Sequence, residues 1–407
     1  MTAATVLRPL APSEQIFAFA EVFVGYSARV RGRLDPGALA VAFDAVLRAH
    51  PMLGARLAPV DDLGHVLLAP DGDAPGLTVA DGVPEQLLTG ADPDQRRAAC
   101  ALCVVRDGDY ASVTLLTHHS IADAVHSLSI FAELWRCYRE AAAGRAPVVP
   151  ERPYPASVET LLAERGIVKR PVPGATPRPP VHSAQTSAAD DPYPALITTR
   201  CRLSKAATAA LIDLGHRTGV TVHGLVSAAL LLTEAATRGV PVDRLHYAYS
   251  VDLRRRLRPT VGATDATNVL GYTSYRASPG TEPSLVGLAR GIGAALRAGL
   301  DSGFIQQTPL QIPEMPPTPL GTVIATNWGR IPRLVTPDGL RITDFRSTMI
   351  AKRDRTGRRL PQPGGGTIII STFDDQLSVE VHHPPSFRDE QLPRLARIGA
   401  LLNETTG

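Results

Sequence analysis

One short run in this chain has residue types able to do proton chemistry: Thr117-His118-His119-Ser120-Ile121-Ala122-Asp123-Ala124. It closes an alternating apolar stretch, residues 110–116, and precedes an amphipathic one, residues 125–138, which places it at a strand-to-helix corner. An imidazole has an ordinary pKa of about 6.5, so at pH 7 it is mostly neutral and can accept a proton. Side chains alternate along a strand, so His118 and His119 face opposite ways. His119 is the candidate general base and His118 a structural support. Asp123, a helical turn further on, cannot easily reach the same substrate atom and is expected to be a buried anchor of the corner. One base and one structural carboxylate point to acyl transfer. A thiolate leaves easily, whereas an attacking alcohol has a pKa far above 7 and needs a base within hydrogen-bond reach. The developing oxyanion needs a donor too, and no residue is assigned to it.

The corner has to be positioned by its neighbours. Residues 36–50 read as a helix, with Leu39, Phe43, Val46 and Leu47 at helical spacing and Pro36 in the first turn. Residues 22–34 read as a strand before it. Residues 100–106 and 110–117 form a hairpin around Asp107-Gly108-Asp109. From 144 to 194 prolines accumulate, interrupted only by a helical patch at 157–166. This segment is expected to be a linker without a core, arching over a cleft. The stretches 311–319 and 353–366 read as shorter loops. Beyond the linker, residues 204–215 and 221–238 read as helices, and 245–253 and 368–381 alternate as strands. The order strand, double histidine, helix returns at Leu377-Ser378-Val379-Glu380-Val381-His382-His383 and 386–402, with Phe387 where the aspartate would stand. That echo is either a chance pairing or a duplicated unit whose second site has lost its anchor.

At 407 residues the chain exceeds one comfortable core, and two domains are expected. A net charge of +3 is too mild to argue for nucleic acid. The basic groups at Arg254, Arg255, Arg256 and Arg258, and at 352–359, read as solvated faces, with phosphate binding the sharper alternative. Four cysteines make no disulfide framework in a chain of this length. Cys100 and Cys103 have zinc-ribbon spacing but lack a second pair, so they read as core filler and no metal site is expected. No stretch approaches about 18 consecutive apolar residues, so no membrane span is expected and the protein reads as cytoplasmic.

His118-His119-Ser120-Ile121-Ala122-Asp123-Ala124 resembles the His-His-x-x-x-Asp-Gly motif of condensation domains, chloramphenicol acetyltransferases and polyketide-associated acyltransferases. Residues 10–23 and 35–51, Tyr249-Ser250-Val251-Asp252-Leu253-Arg254, Thr264-Asp265-Ala266-Thr267-Asn268-Val269-Leu270-Gly271 and Gly303-Phe304-Ile305-Gln306-Gln307 resemble the phthiocerol/phthiodiolone dimycocerosyl transferase type. Its nearest functional cousins would be actinobacterial enzymes, of the rifamycin-pathway acetyltransferase kind, that acylate a hydroxyl of a finished polyketide. Ala124 departs from the motif's glycine, and costs little if the position simply opens a helix.

The resemblance implies an α/β fold (α+β): a pseudodimer of two chloramphenicol-acetyltransferase-like domains with a tunnel between them. The halves would be residues 1–145 and 195–407, joined by a proline-rich linker at 146–194. Arg254 matches the arginine that pairs with the motif's aspartate. Asn327, Trp328 and Gly329 lie where condensation domains carry Asp-Phe-Gly-Trp-Gly, on a segment expected to cross onto the first half and shape the tunnel. The implied activity is O-acyl transfer from a coenzyme A or acyl-carrier-protein thioester to a polyketide or lipid hydroxyl. It needs no resident cofactor, and a monomer is expected. Two competing readings are a degenerate domain that only binds a carrier and, less favoured, a metal-dependent hydrolase using His118, His119 and Asp123.

Overall fold

The motif corner is reached by a chain whose first half alternates strands with capped helices. The computed structural model describes residues 5–60, 64–71, 75–169, 196–280, 283–307, 322–351 and 366–404. The first half runs β1 (Val6–Pro9), α1 (Pro12–Phe19), β2 (Val22–Arg31), α2 (Pro36–Ala49), β3 (Arg56–Val60) and β4 (Gly64–Leu68). It continues with β5 (Leu77–Asp81), β6 (Cys100–Asp107), β7 (Tyr110–His118) and α3 (Ala124–Ala142), and α4 (Val158–Ala163) follows. Helix α2 starts where the sequence predicts, because the Asp35 carboxylate accepts from the Gly37 and Ala38 N–H groups and Pro36 fills the first turn. It buries Leu39, Phe43 and Val46.

The second half runs β8 (Ile197–Arg202), α5 (Lys205–Thr218), α6 (Val222–Arg238), β9 (His246–Asp252), β10 (Leu270–Tyr275) and α7 (Leu285–Asp301). Then come α8 (Phe304–Gln307), β11 (Thr322–Arg330), β12 (Arg341–Ala351), β13 (Thr367–Phe373), β14 (Gln376–His383) and α9 (Arg388–Glu404). Two main sheets result, in the orders β12-β2-β7-β6-β5 and β10-β9-β11-β13-β14-β8. A small sheet, β1-β4-β3, flanks the first.

The two halves repeat one topology. In each, a hairpin (β6–β7, β13–β14) is followed by a helix (α3, α9). The half's first long strand, β2 or β8, pairs antiparallel with the hairpin's second strand. Another strand, β5 or β11, runs parallel to the hairpin's first. The echo of the double histidine is therefore a repeat of architecture. Its second copy has no free base, because all four imidazole nitrogens are engaged. His382 meets Ser347 Oγ at 2.8 Å and Thr198 Oγ1 at 3.0 Å, and His383 meets Thr199 Oγ1 at 2.7 Å and the Pro384 carbonyl at 2.8 Å.

Two expectations about the chain's path need correction. The segment that crosses onto the first half is not the Asn327 strand but β12, which lies along β2 from Arg341↔Arg31 to Ala351↔Val22. Strand β11, carrying Asn327, stays in the second sheet between β9 and β13. The described part of the proline-rich segment also builds a core, contrary to the reading of it as a strap. Val158, Leu161 and Leu162 of α4 are buried with Leu253, Leu257 and Val269. Three apolar residues on one face of a short helix sufficed, with Ser157 capping its start. The rest of that segment, from 170 to 194, lies outside the described residues, as do 311–319, 353–365 and the basic residues 352–359.

Cys100 and Cys103 are buried in β6, three positions apart on a strand and so on opposite faces. Cys100 belongs to the main first-half core, Cys103 to a small cluster with Phe23 and Leu116. Among the described residues no single helix is long and apolar enough to cross a membrane.

Candidate active site

Strand β7 ends where its neighbours end, and that fixes the two histidines. The His118 N–H donates to the Ala99 carbonyl at 2.7 Å and the His119 N–H to the Val22 carbonyl at 2.8 Å, so the corner is tied to the strands on both sides. The rings then diverge. His118 is fully buried, edge-on to Phe23 with centroids 4.8 Å apart, and its Nδ1 accepts the Ser120 N–H at 3.2 Å. Burial, with His119 and His65 nearby, pushes its pKa down to about 3, so it stays neutral. The half-buried His119 ring lies flat against Phe17, centroids 3.9 Å apart and planes 13° from parallel. Its Nδ1 has no hydrogen-bond partner among the described residues.

Burial also pushes the His119 pKa down, opposed by its own carbonyl, Asp123, the Asn268 amide and the Ala122 carbonyl. A base works only in its neutral form. The rate kcat/KM should therefore fall as pH drops through the His119 pKa, and that limb should lie below the ordinary 6.5. A pH–rate profile with thioester and alcohol checks this; an acid limb centred at or above 6.5 would contradict it.

Asp123 caps α3, accepting the His126 N–H at 3.0 Å on Oδ1. Arg254, from just beyond β9 in the other half, forks onto it: Nη1 to Oδ2 at 2.8 Å and Nη2 to Oδ1 at 2.9 Å. The Val269 N–H adds a fourth donor at 2.9 Å on Oδ2. Burial alone would lower the Arg254 pKa, but Asp123 and Asp252 outweigh it and hold the guanidinium above its usual value. Ala124 opens α3 and is absent from the residues with positive φ, so the missing glycine causes no strain.

The second half grips the corner again just beside this pair. The Thr267 carbonyl accepts the Asp123 N–H at 3.1 Å, and Asn268 Nδ2 donates to the His119 carbonyl at 2.8 Å. Thr267 Oγ1 donates to the buried Glu14 carboxylate of α1 at 2.7 Å. Ser120 Oγ donates to the Glu14 carbonyl at 2.8 Å, which directs that hydroxyl into α1 and away from the His119 ring. Thr267 and Asn268 are thus backbone bridges, one of the roles open to such residues. Sequence reasoning missed Phe17 and Glu14 because α1 was not read as a helix. Pro12 in its first turn and Glu14 three residues after the cap were the available signals.

The remaining predicted site residues are placed elsewhere. Asn327 is exposed; its Oδ1 accepts the Gly329 N–H at 2.8 Å and its amide nitrogen faces Nδ1 of His223 at 3.3 Å. Gly329, also exposed, has φ of 71° and follows a bulge in β11. Trp328 points the other way and joins the first-half core, 4.9 Å from the Tyr26 ring and 6.4 Å from Phe345. It joins the halves by packing. A metal role for His118, His119 and Asp123 does not fit, since the rings diverge and both Asp123 oxygens accept N–H donors. Among the described residues no cluster of three or more His, Cys, Asp or Glu could hold an ion.

Comparison with known proteins agrees with this fold. Residues 192–382 match the family described as phthiocerol/phthiodiolone dimycocerosyl transferase C-terminus. A phthiocerol/phthiodiolone dimycocerosyl transferase from Mycobacterium sp. (strain JLS) is 37% identical over 364 residues, covering 84% of this chain and 86% of its own. The solved structure of polyketide synthase associated protein 5 from Mycobacterium tuberculosis superposes with a TM-score of 0.83 at 31% identity, covering 100% of this chain and 99% of the other. The first condensation domain of the calcium-dependent antibiotic synthetase shares the fold, with a TM-score of 0.67 at 16% identity over 100% of this chain and 97% of its own. With a relative at this identity spanning most of both chains, on a two-half fold whose motif corner is clamped across the halves, the protein belongs to the phthiocerol/phthiodiolone dimycocerosyl transferase family of acyltransferases.

Proposed function

We propose that this chain transfers an acyl group from a coenzyme A or acyl-carrier thioester to a hydroxyl of a polyketide or related lipid natural product. His119 takes the hydroxyl proton as the alcohol oxygen attacks the thioester carbonyl. When the tetrahedral intermediate collapses, the same proton goes to the departing sulfur. The observation that carries this reading is the place of the His119 ring at a corner pinned by Asp123, Arg254 and Asn268, where burial lowers its pKa. The substrate class is supported by the relatives' names, which describe acyl transfer to phthiocerol and phthiodiolone. On the same reading the protein works as a cytoplasmic monomer without a resident cofactor.

Both substrates should be bound together, because among the described residues no side chain near His119 is poised as a nucleophile. Ser120 Oγ is engaged by the Glu14 carbonyl. Burial raises the pKa of the cysteine thiols, that of Cys103 to about 12, which leaves them protonated and unreactive. Mass spectrometry after incubation with donor alone should accordingly show no covalent acyl adduct. An acylated residue that alcohol then discharges would refute direct transfer. A competition assay pairing short and long acyl thioesters with polyketide alcohols tests the function itself. Tight thioester or carrier binding with no transfer to any alcohol would favour the carrier-binding reading instead.

A further inference from the structure

The start of α6 gathers hydrogen-bond donors that have no acceptor among the described residues. Thr221 caps the helix, its hydroxyl accepting the Gly224 N–H at 3.0 Å. The other N–H groups of the first turn have no acceptor within the helix, and the macrodipole places partial positive charge there. His223 is the second residue of this turn. Asn327 Oδ1 accepts the Gly329 N–H at 2.8 Å, which fixes the amide and turns its nitrogen to His223 Nδ1 at 3.3 Å. An amide nitrogen only donates, so Nδ1 must accept. Burial pushes the His223 pKa down to about 4, so the ring is neutral and its one proton sits on Nε2. That N–H is buried and has no partner among the described residues.

Tyr249 brings a second orphan to the same place. Tyr247 and Tyr249 are two apart on β9, so both leave one face of the strand, and their rings stack with centroids 5.1 Å apart. The Tyr247 hydroxyl accepts from Ser227 Oγ of α6 at 2.8 Å, so this face looks onto that helix. Tyr249, one step further along, packs its ring 5.0 Å from that of His223, which lies one helical turn before Ser227. Tyr249 is 2% exposed, and its hydroxyl too has no partner among the described residues. A buried donor left unanswered is costly, and two of them in contacting rings call for an acceptor. Access lies past Asn327, which is exposed. The exposed Arg290 of α7 stands nearby, donating to the Thr218 carbonyl at 3.4 Å just ahead of the helix.

We propose that the first turn of α6 is a phosphate subsite for the thioester donor: the His223 Nε2–H, the Tyr249 hydroxyl and the free N–H groups of the turn hold the phosphate of a phosphopantetheine arm. This rests on the reading of the chain as a thioester-using acyltransferase. An anion fits because each of these groups donates, the helix end is positive and Arg290 adds a cation at the rim. Strand β9 connects the subsite to the motif corner. Tyr249 is five positions before Arg254, at most about 17 Å along an extended strand, a span that an extended pantetheine arm covers.

Titration calorimetry of the full chain with pantetheine, 4′-phosphopantetheine and coenzyme A tests this. The wild type should bind phosphopantetheine about 10-fold or more tighter than pantetheine, the gain expected of hydrogen bonds to a charged group. Tyr249→Phe and His223→Phe should each remove most of that gain and leave pantetheine affinity as it was. Tyr249→Phe deletes a hydroxyl without a partner, so its Tm should equal or exceed that of the wild type; it carries the test if His223→Phe does not fold. A penalty on coenzyme A alone assigns the site to that donor, and one on phosphopantetheine alone to a carrier's arm. Equal wild-type affinity for pantetheine and phosphopantetheine would overturn the proposal, as would variants that keep the gain. A lower Tm in Tyr249→Phe with the gain intact would mean that a buried water answers the hydroxyl, and would overturn it too. Phosphate-dependent binding in a protein that turns over no thioester would remove the transferase reading and leave the subsite standing. Normal turnover beside binding indifferent to the phosphate would sink the subsite alone.

Discussion

Replacing His119 by alanine is expected to lower kcat by about 10²- to 10⁴-fold, the span that positioned proton transfer typically contributes. Substrate binding and the fold should be largely kept. The backbone N–H of residue 119 still meets the Val22 carbonyl, and its own carbonyl still accepts from Asn268, so the corner retains both ties. What disappears is the ring, and with it the proposed acceptor of the alcohol proton as attack proceeds. Loss in kcat with near-constant KM is the signature of an interaction made in the transition state. Single-turnover measurements with saturating thioester and alcohol read it directly. Retention of more than a small fraction of the wild-type rate would show that another group does this work.

The second large effect is on stability. Asp123 and Arg254 are 2% and 3% exposed at their side chains, and they join two halves of the chain. Removing either leaves the other charged and desolvated, a situation that costs about 3–5 kcal/mol for buried pairs. The two single variants should not behave identically. Arg254 left alone keeps Asp252 at 3.0 Å, and that carboxylate is partly solvated. Asp123 left alone keeps, among the described residues, the His126 and Val269 N–H groups. Replacing both removes the stranded charge, so the double variant should be less damaged than the sum, with a coupling of about 0.5–3 kcal/mol. Urea denaturation of the four proteins of the cycle measures this. Strict additivity would mean that the fork does not operate in solution.

Much of the first half is legible in sequence because each of its signals is local. Asp35 and Pro36 start α2, Gly108 turns the β6–β7 hairpin at φ of 55°, and apolar alternation from Tyr110 carries β7 to the motif. Helices α5 and α6 are legible for the same reason, each opening on a Ser or Thr cap and closing on a left-handed glycine. The proline-rich segment misled because its composition averages over a short helix with three buried apolar residues. Strand β12 gave no usable signal. Its pairing partner β2 lies some three hundred residues away in sequence, and its buried polar residues, Asp344 and Ser347, look like surface until their partners are known. Asp344 is forked by Arg200 at 2.9 and 2.7 Å and bonded by Arg202 at 3.0 Å; Ser347 donates to the Glu380 carboxylate at 2.6 Å.

For the site, the residue types and their spacing sufficed to single out His119 and Asp123 and, through resemblance, to couple Arg254 to Asp123. Alternation along a strand sufficed to separate the two histidines, since it is a property of the backbone alone. Which side chain the His119 ring would lie against was beyond reach of the sequence. That choice depends on where α1 comes to rest, and α1 is positioned by Arg8, Thr267, Glu159 and Gln95, which are scattered over more than 250 positions. The same holds for Asn327 and Trp328. Neighbours in sequence, they fall on opposite faces of a sheet by alternation, and only the packed halves decide which face meets Tyr26 and which meets His223.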